Sequence, residues 1–309
     1  GFYIDRAYLT YKKDVSENVS FKFQTDIKNL NSGDGWQVYL KNAKMNFQVH
    51  ENYKLIFGLQ GMNMFNVQEK NWGNRFIAKS AMDGSGWIPA ADLGIGVVAS
   101  FGEISGSVLF TNGEGYKNSS SDDNERISTS LIYNGGFGDD LSFNVGGVFS
   151  MLNYISCGCG NACACNSEGP CGGTCTADGC EDGCDCGCEA DILAQVMGVF
   201  GGFSGFGFRA GAEYNMGTDL NIDGYETSST LMSLYGTYSL SFIKGFSVLV
   251  KYDILDTDTE ADDTETTTLL AGLSYQCAEG ITFSPNMTQT KVGIEDPTTA
   301  INLTFQLKF

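Results

Sequence analysis

Apolar and polar residues alternate one by one over most of this chain. The range 298–309 is the clearest case: every second residue from Ile301 to Phe309 is apolar, and each residue between them is polar. A period of two residues is typical of a β-strand with one apolar and one polar face. The pattern predicts fifteen strands, at residues 3–12, 18–27, 36–49, 54–62, 91–102, 104–112, 124–134, 141–152, 191–202, 205–215, 227–240, 245–255, 265–276, 280–288 and 298–309. In the third strand the phase changes near Asn42, which predicts a β-bulge.

The connections between these strands alternate in length. Short connections lie at residues 13–17, 50–53, 103, 135–140, 203–204, 241–244 and 277–279. Long polar connections lie at residues 28–35, 63–90, 113–123, 153–190, 216–226, 256–264 and 289–297. All the long connections therefore fall at one end of the strands, which is typical of membrane barrels with short periplasmic turns and long external loops. The predicted fold class is all-β, a single transmembrane antiparallel β-barrel formed by residues 1–309.

Closure of the barrel determines the expected number of strands. Lipid cannot satisfy exposed backbone groups, so the barrel must close, and single-chain bacterial barrels have an even number of strands. Fifteen segments are visible, so we expect sixteen strands, with one more preceding Gly1. The alternative is fourteen, if one strand has been divided in two. Because the polar faces carry Lys, Asp, Gln, Ser and Asn, the interior is expected to be wet.

Composition supports strands and excludes two other classes of protein. The 40 glycines, 21 phenylalanines and 14 tyrosines suit strands joined by tight turns, with only 4 prolines. No run of about 18 apolar residues is present, which excludes a transmembrane helix. The net charge of −19 argues against a nucleic-acid partner, which would need a basic face. The excess acids are concentrated at residues 119–125, 178–191 and 253–265.

Three stretches carry a resemblance to a known family: GFYIDRAYLTYKKDVSENVSFKFQTDI at 1–27, KLIFGLQG at 54–61, and NWGNRFI at 71–77 followed by ADLGIGVVASFG at 91–102. They resemble the outer-membrane porins of the phosphate-selective porin O and P family, in its broad sense. The resemblance implies a sixteen-stranded, usually trimeric channel whose long third-region loop folds into the lumen. Two features depart from the family pattern: the lysines and arginines of the polar faces are scattered, and residues 153–190 form a cysteine-rich insert. We therefore carry over the fold and the channel function, but not phosphate specificity.

The resemblance also implies a location and partners. Phe309 resembles the terminal aromatic residue by which the outer-membrane assembly machinery recognises its barrels, which implies a periplasmic C-terminus. The long connections, including the insert, are then extracellular. The expected surroundings are the bacterial outer membrane, with its lipid bilayer and lipopolysaccharide, and the expected assembly is a homotrimer.

Charged residues at the polar positions of the strands are candidates for the lining of the pore. Rings of one charge sign select ions of the opposite sign. The alternative is a wet pore lined by mixed charges without a specific role, and both signs occur here. The candidate lining residues are Arg6, Lys22, Asp26, Lys44, Lys54, Arg209, Glu213, Lys251 and Asp253.

The connection at 63–90 is the candidate constriction. Arg75 and Lys79 are four residues apart, so they are expected to share one face of a short helix that faces Asp83 or other carboxylates. Trp72 belongs to the same candidate set and is expected to act as a packing anchor. The alternative is an external loop that rests on the rim of the barrel.

Ten of the 11 cysteines lie in the extracellular cysteine-rich insert (residues 153–190). They are Cys157, Cys159, Cys163, Cys165, Cys171, Cys175, Cys180, Cys184, Cys186 and Cys188. Because thiols oxidise outside the cell, a disulfide framework is the first hypothesis. The alternative is a soft metal site, although no histidine lies nearby and the spacing differs from that of zinc ribbons. A surface partner of the insert is a further hypothesis.

No cofactor is expected, apart from a weak calcium candidate at Asp219, Asn221 and Asp223, whose alternating oxygen ligands suit Ca²⁺. The predicted function is a non-enzymatic porin that allows passive diffusion of small hydrophilic solutes or ions with weak charge selectivity. Two alternatives remain open: a surface-display or adhesion barrel that presents a disulfide-rich knob, and the barrel sheath of a multihaem electron conduit.

Overall fold

The alternating segments form one antiparallel sheet of fifteen strands. The structure is a computed structural model that describes residues 1–29, 35–117, 124–138, 140–159, 175–176, 179–180, 186–220 and 228–309. The strands of the sheet are β1 (Arg6–Ser16), β2 (Val19–Asn29), β3 (Trp36–His50), β4 (Tyr53–Gly61), β5 (Ala91–Phe101), β6 (Ile104–Thr111), β7 (Arg126–Phe137), β8 (Leu141–Cys159), β11 (Cys186–Gly205), β12 (Phe208–Thr218), β13 (Ser228–Ser239), β14 (Phe246–Asp256), β15 (Glu265–Ala278), β16 (Ile281–Val292) and β17 (Thr298–Leu307). Two strands of two residues, β9 (Cys175–Thr176) and β10 (Gly179–Cys180), pair with each other.

The fold class predicted from the alternation is confirmed. Each of the fifteen predicted segments corresponds to one strand of the sheet, and every strand pairs with its neighbour in sequence, β8 pairing with β11. At the two ends of this fifteen-stranded sheet, β1 and β17 each have a single neighbour. A sixteenth strand that closes the barrel between them stays a prediction.

The bulge predicted near Asn42 is also confirmed. Gln24 pairs with Asn42, whereas the next residue, Thr25, pairs with Leu40, so Lys41 is the extra residue of β3. A bulge allows two consecutive side chains to turn to the same face of a sheet. Lys41 lies 3.9 Å from the carboxylate of Asp26, and Asn42 donates to Gln24.

The two faces of the sheet differ as the alternation requires. On β17 the apolar side chains Ile301 and Leu303 are 83% and 71% exposed. Large apolar residues are exposed in the same way on the other strands, with Leu131 at 63% and Val199 at 62%. We call this apolar, exposed face the outer face, and the opposite one the inner face. A soluble protein buries the apolar face of a sheet and exposes the polar one. This sheet does the opposite, and we call it inverted for that reason.

The connection between β4 and β5 contains the two helices, α1 (Asn66–Trp72) and α2 (Ala81–Ser85). α1 contacts β11, β12 and β13, and α2 contacts β13. We expected one short helix in the middle of this connection. The structure instead has two helices with a turn region between them. Within the described residues, no helix has the length and apolar character needed to cross a membrane.

The strands β8 and β11 extend into both ends of the cysteine-rich insert. Their pairing continues as far as Cys157 opposite Cys188 and Cys159 opposite Cys186. Sequence alternation placed the ends of these strands at residues 152 and 191, so it missed this extension. The remaining parts of the insert, at 160–174, 177–178 and 181–185, lie outside the described residues.

Candidate functional site

Residues 63–90, called here the inner segment, fold against the inner face of the sheet. Met64, Phe65 and Met82 are at most 3% exposed, and Trp87 and Ile88 are also buried. They form an apolar cluster with strand residues Leu109, Val148, Val196, Phe200 and Leu231. Burial of this much apolar surface fixes the segment inside the curved sheet instead of at its edge. The strip of inner face beneath it is apolar for the same reason.

Trp72 anchors the middle of the inner segment. Its side chain is fully buried, and its ring meets the ring of Tyr235 edge to face with centroids 5.9 Å apart. The indole Nε1 donates a hydrogen bond of 2.8 Å to the carbonyl of Ala78. Polar contacts to the strands add to this anchor, because Asn74 donates to the hydroxyl of Thr237 at 2.9 Å. Trp72 is therefore a structural anchor and does not line an opening.

Arg75, Lys79 and Asp83 form one charged cluster with Glu69. The guanidinium of Arg75 lies 2.6 Å from a carboxylate oxygen of Glu69 and 2.6 Å from one of Asp83. Lys79 Nζ lies 3.4 Å from the other oxygen of Asp83. Burial alone would lower the pKa of Arg75, but the charges of Asp83 and Glu69 outweigh it and raise this pKa. The side chain therefore stays cationic.

The expectation that Arg75 and Lys79 share a helix face is wrong. Both lie in the turn region between α1 and α2. They meet at Asp83 because that turn folds back on the start of α2, where the carboxylate is only 4% exposed. Sequence spacing found the right partners through the wrong local structure.

A second charged cluster lies around Asp26 on β2, a residue that is 1% exposed. Its Oδ2 accepts hydrogen bonds from Arg6 at 3.2 Å and from the hydroxyl of Tyr116 at 2.9 Å. Lys41, the bulge residue, lies 3.9 Å from the same oxygen. The sequence predicted Arg6 and Asp26 but missed Lys41 and Tyr116. The change of phase near Asn42 was the available signal for Lys41.

Tyrosine rings surround the cations of this second cluster. Lys41 Nζ lies 4.8 Å from the ring centre of Tyr8, and Lys117 Nζ lies 6.0 Å from that of Tyr39. The Tyr39 and Tyr116 rings meet edge to face at 6.2 Å. A ring face attracts a cation, so these contacts hold the two lysines in place.

The charges of the inner segment interact with this cluster across the inner side of the sheet, and the space between them is called here the gap. Arg75 interacts electrostatically with Tyr8 of β1, and Lys79 with Lys117. Burial, followed by the positive charges of Lys28, Arg6 and Lys79, lowers the pKa of Lys117. Cations therefore line the gap on both sides, at Arg75 and Lys79 on the segment and around Asp26 on the strands.

Further cations continue along the inner face of β1 to β4. Lys12 pairs with Lys22 across β1 and β2, and Lys22 pairs with Lys44 across β2 and β3. Directly opposed residues of an antiparallel pair lie on the same face, so the three lysines form a row. Lys54 on β4 is opposite Gln48, which shares the face of Lys44. The predicted lining residues Lys22, Lys44 and Lys54 thus extend the cationic surface.

The predicted lining residues of β12 and β14 also lie on the inner face, but two of them are covered. Glu213 is 2% exposed and Lys251 is 3% exposed. The backbone of Ala81, the first residue of α2, hydrogen-bonds Glu213, so the inner segment lies over this carboxylate. Lys251 forms a close ion pair with Asp253. This network supports the segment and is not part of the open surface.

Arg209, the remaining predicted lining residue, lies at the end of the inner face next to the short turns. It borders a cavity of about 480 Å³ together with Gly73 and Asn74 of the inner segment. The other residues around this cavity are mostly serine, threonine, glutamine and glycine. It is a polar space on the far side of the segment from the long connections.

The predicted metal and disulfide residues are only partly described. Asn221, Asp223, Cys163, Cys165, Cys171 and Cys184 lie outside the described residues. Asp219 follows the end of β12. Within the described ranges, no group of three or more His, Cys, Asp or Glu residues is arranged to hold a metal ion.

Comparisons with known proteins identify the fold. No family model matches this chain, and no curated protein matches it in sequence. The chain is similar to OmpT, an outer membrane protein of Vibrio cholerae in its trimer form, with 14% identity, a TM-score of 0.60, and coverage of 98% of this chain and 90% of that one. It is similar to Salmonella typhi OmpF in complex with daunomycin, with 12% identity, a TM-score of 0.61, and coverage of 98% and 91%. It is also similar to an anion-selective porin from Comamonas acidovorans, with 11% identity, a TM-score of 0.55, and coverage of 98% and 87%. The chain therefore has the barrel fold of these outer-membrane proteins.

Proposed function

We propose that this protein is a porin of the bacterial outer membrane, a passive diffusion channel for small hydrophilic solutes and ions. The observation that carries the proposal is the inverted sheet. Its exposed outer face is apolar, whereas its inner face carries charges and a folded segment that leaves a charged gap. An apolar outer face suits lipid, and a charged inner face suits water and solutes. We assign no enzymatic activity to it.

Aromatic residues on the strands support the membrane location. Pairs of rings lie near the short turns, with centroids 5.5 Å apart for Tyr53 and Phe101 and 4.3 Å apart for Phe208 and Tyr238. Other pairs at this edge are Phe137 with Phe143, Phe246 with Tyr275, and Phe283 with Phe305. Aromatic side chains prefer the boundary between lipid and water, and membrane barrels carry such girdles. These rings suit one boundary of the membrane, and because membrane barrels have short periplasmic turns, we assign this edge to the periplasm and the long connections to the outside.

The charge distribution supports a weak preference for anions. The chain as a whole carries a net charge of −19, yet cations predominate along the gap. Arg75 and Lys79 line one side, while Arg6, Lys41 and Lys117 line the other. Asp26, Asp83 and Glu69 offset part of this charge, so the selectivity is weak. Fixed charges of one sign at a narrow point favour ions of the opposite sign.

The proposed assembly is a homotrimer in a bilayer that contains lipopolysaccharide. One of the similar structures is a trimer form, which supports this assembly by analogy. A calcium ion at Asp219, Asn221 and Asp223 and disulfides in the cysteine-rich insert belong to the same proposal. Both suit an extracellular surface.

A surface-display protein is the second candidate. The strands β8 and β11 have 19 and 20 residues, more than any other strand of the sheet, and they extend into the insert. A raised hairpin of this kind would present the insert to a partner outside the cell. The electron-conduit alternative needs room for a second protein inside the barrel, and the inner segment reduces that room.

Recording from purified protein in a planar bilayer tests the proposal. We expect stepwise conductance and, in a salt gradient, a reversal potential on the anion-selective side. Absence of any conductance in protein that has folded would overturn the porin. Deletion of residues 155–189 separates the second candidate: a channel that keeps its conductance while cells lose surface binding would favour display.

A further inference from the structure

The connection that follows β6 folds onto the inner face in its described part, instead of extending outward. The backbone N–H of Asn112 donates to the carbonyl of Leu93 at 3.0 Å, and that of Tyr116 donates to the carbonyl of Ala91 at 2.9 Å. Residues 112–117, called here the strap, are thus bound to the beginning of β5. The pattern of connection lengths predicted an external polar loop at residues 113–123.

Asp92 holds the base of the strap in a fixed shape. Its carboxylate accepts the N–H groups of Gly113 at 2.6 Å and of Gly115 at 3.2 Å. Both glycines have φ values in the left-handed region, +96° and +85°, which residues with a side chain adopt only with strain. A Cβ atom at Gly115 would also lie 2.6 Å from a side-chain atom of Pro89. The base of the strap is therefore specified by sequence and firmly held.

The tip of the strap reaches a distant part of the sheet. Tyr116 bonds to β5 through its backbone and to Asp26 of β2 through its hydroxyl, although β3 and β4 lie between these strands. Neighbouring strands are about 4.8 Å apart, so the strap spans roughly 14 Å measured along the sheet. On a concave face such a connection passes across the enclosed space.

Burial, followed by the negative charge of Asp26, raises the pKa of Tyr116. The hydroxyl therefore keeps the proton that it donates to this carboxylate. The strap also borders the gap: Lys117, its last residue, interacts with Lys79 of the inner segment.

We infer that the strap is a second constriction and that Tyr116 sets the size limit for solutes on the side of the opening that faces β2 to β5. This inference rests on the proposed channel function and adds a specific residue to it. The inner segment limits the opening from the side of β11 to β13, and the strap limits it from the opposite side. Tyr116 acts by its volume, and its hydrogen bond to Asp26 keeps that volume in place.

Exclusion of neutral polymers tests the role of Tyr116 without interference from charge. The probes are polyethylene glycols of graded size, added while single-channel conductance is recorded. We expect Y116A to conduct roughly 1.3- to 2-fold more than the wild type and to admit larger polymers, because pore width decides which solutes enter. Y116F keeps the ring and loses the hydrogen bond, so it should show a smaller rise with larger current fluctuations. The matched control is Y252A, which removes a tyrosine from the outer face, where it is 37% exposed.

The outcomes separate this inference from the channel itself. A conducting wild type with unchanged conductance and polymer exclusion in Y116A overturns the role of the strap alone. If Y116A does not fold, Y116F becomes the test of the strap. A Y116F current trace identical to that of the wild type then overturns the inference. A folded wild type without conductance overturns both the channel and the strap.

Discussion

Truncation of Trp72 is the sharpest test of how the inner segment is held. The substitution W72A removes a fully buried ring, its edge-to-face contact with Tyr235, and its hydrogen bond to the carbonyl of Ala78. Removing a buried Trp side chain costs about 3–5 kcal/mol, including the contacts that it made. Each 1.4 kcal/mol changes an equilibrium constant about tenfold. The equilibrium between the docked and the detached state of the middle of the segment therefore shifts towards the detached state by about a hundred- to a few-thousand-fold.

The ends of the segment should remain in place in this variant. Met64 and Phe65 hold one end, and Trp87 and Ile88 hold the other. We therefore expect the sheet to fold and the turn region with Arg75 and Lys79 to leave its position. In planar bilayers the conductance of W72A should rise and fluctuate, and limited proteolysis should cut the inner segment faster than in the wild type.

The control for this prediction is W36A. Trp36 is the first residue of β3 and is 50% exposed, so its truncation should change neither the conductance nor the proteolysis of the inner segment. A folded W72A with steady wild-type conductance and an uncut segment would refute the reasoning, because the segment would then be held by its ends alone.

Two further substitutions test the charge of the inner face and the fit between strands. K44E changes the charge by two units in the row that Lys44 forms with Lys22. For an anion that passes about 10 Å from residue 44, this raises the electrostatic energy by roughly 0.8 kcal/mol in water. The local concentration of anions then falls about fourfold before salt screening. The reversal potential in a salt gradient should move towards cation selectivity, whereas K244E, in a short turn, should leave it unchanged; equal shifts in both variants would contradict the assignment. G94A places a Cβ atom 2.7 Å from the Cα of Thr111, which should cost about 1–3 kcal/mol and lower the temperature at which the barrel unfolds on heated gels. Gly84 has open space around it, so G84A should not lower this temperature, and an unchanged G94A would contradict the close packing of β5 and β6.

The sequence determined the strands and their order. Each strand separates an apolar from a polar medium, so a local period of two residues is enough to locate it without knowledge of its partners. The phase change near Asn42 similarly located the bulge, because a single extra residue moves all later side chains to the other face. The break in alternation at 63–90, together with the resemblance to porins, also predicted a segment that folds inward.

Tertiary structure decided which polar residues border the gap. Glu213 and Lys251 follow the polar phase of their strands but are buried, and Ala81, which is far away in sequence, lies over Glu213. The alternating pattern describes one strand at a time and contains no information on what lies over its polar face. Trp72 is buried for the same reason, by strands that come much later in the chain.

The strap shows this limit most clearly. A tyrosine in a polar connection suggests an external loop, and nothing in the local sequence relates Tyr116 to Asp26, which is 90 residues away. Their hydrogen bond exists because the strap crosses the inner face from β5 to β2, which is three strands away in the sheet. Sequence alone therefore determined the strands of the sheet, because each strand has one face towards an apolar medium and one towards a polar medium. Only the curvature and register of the whole sheet decided what narrows the space inside it.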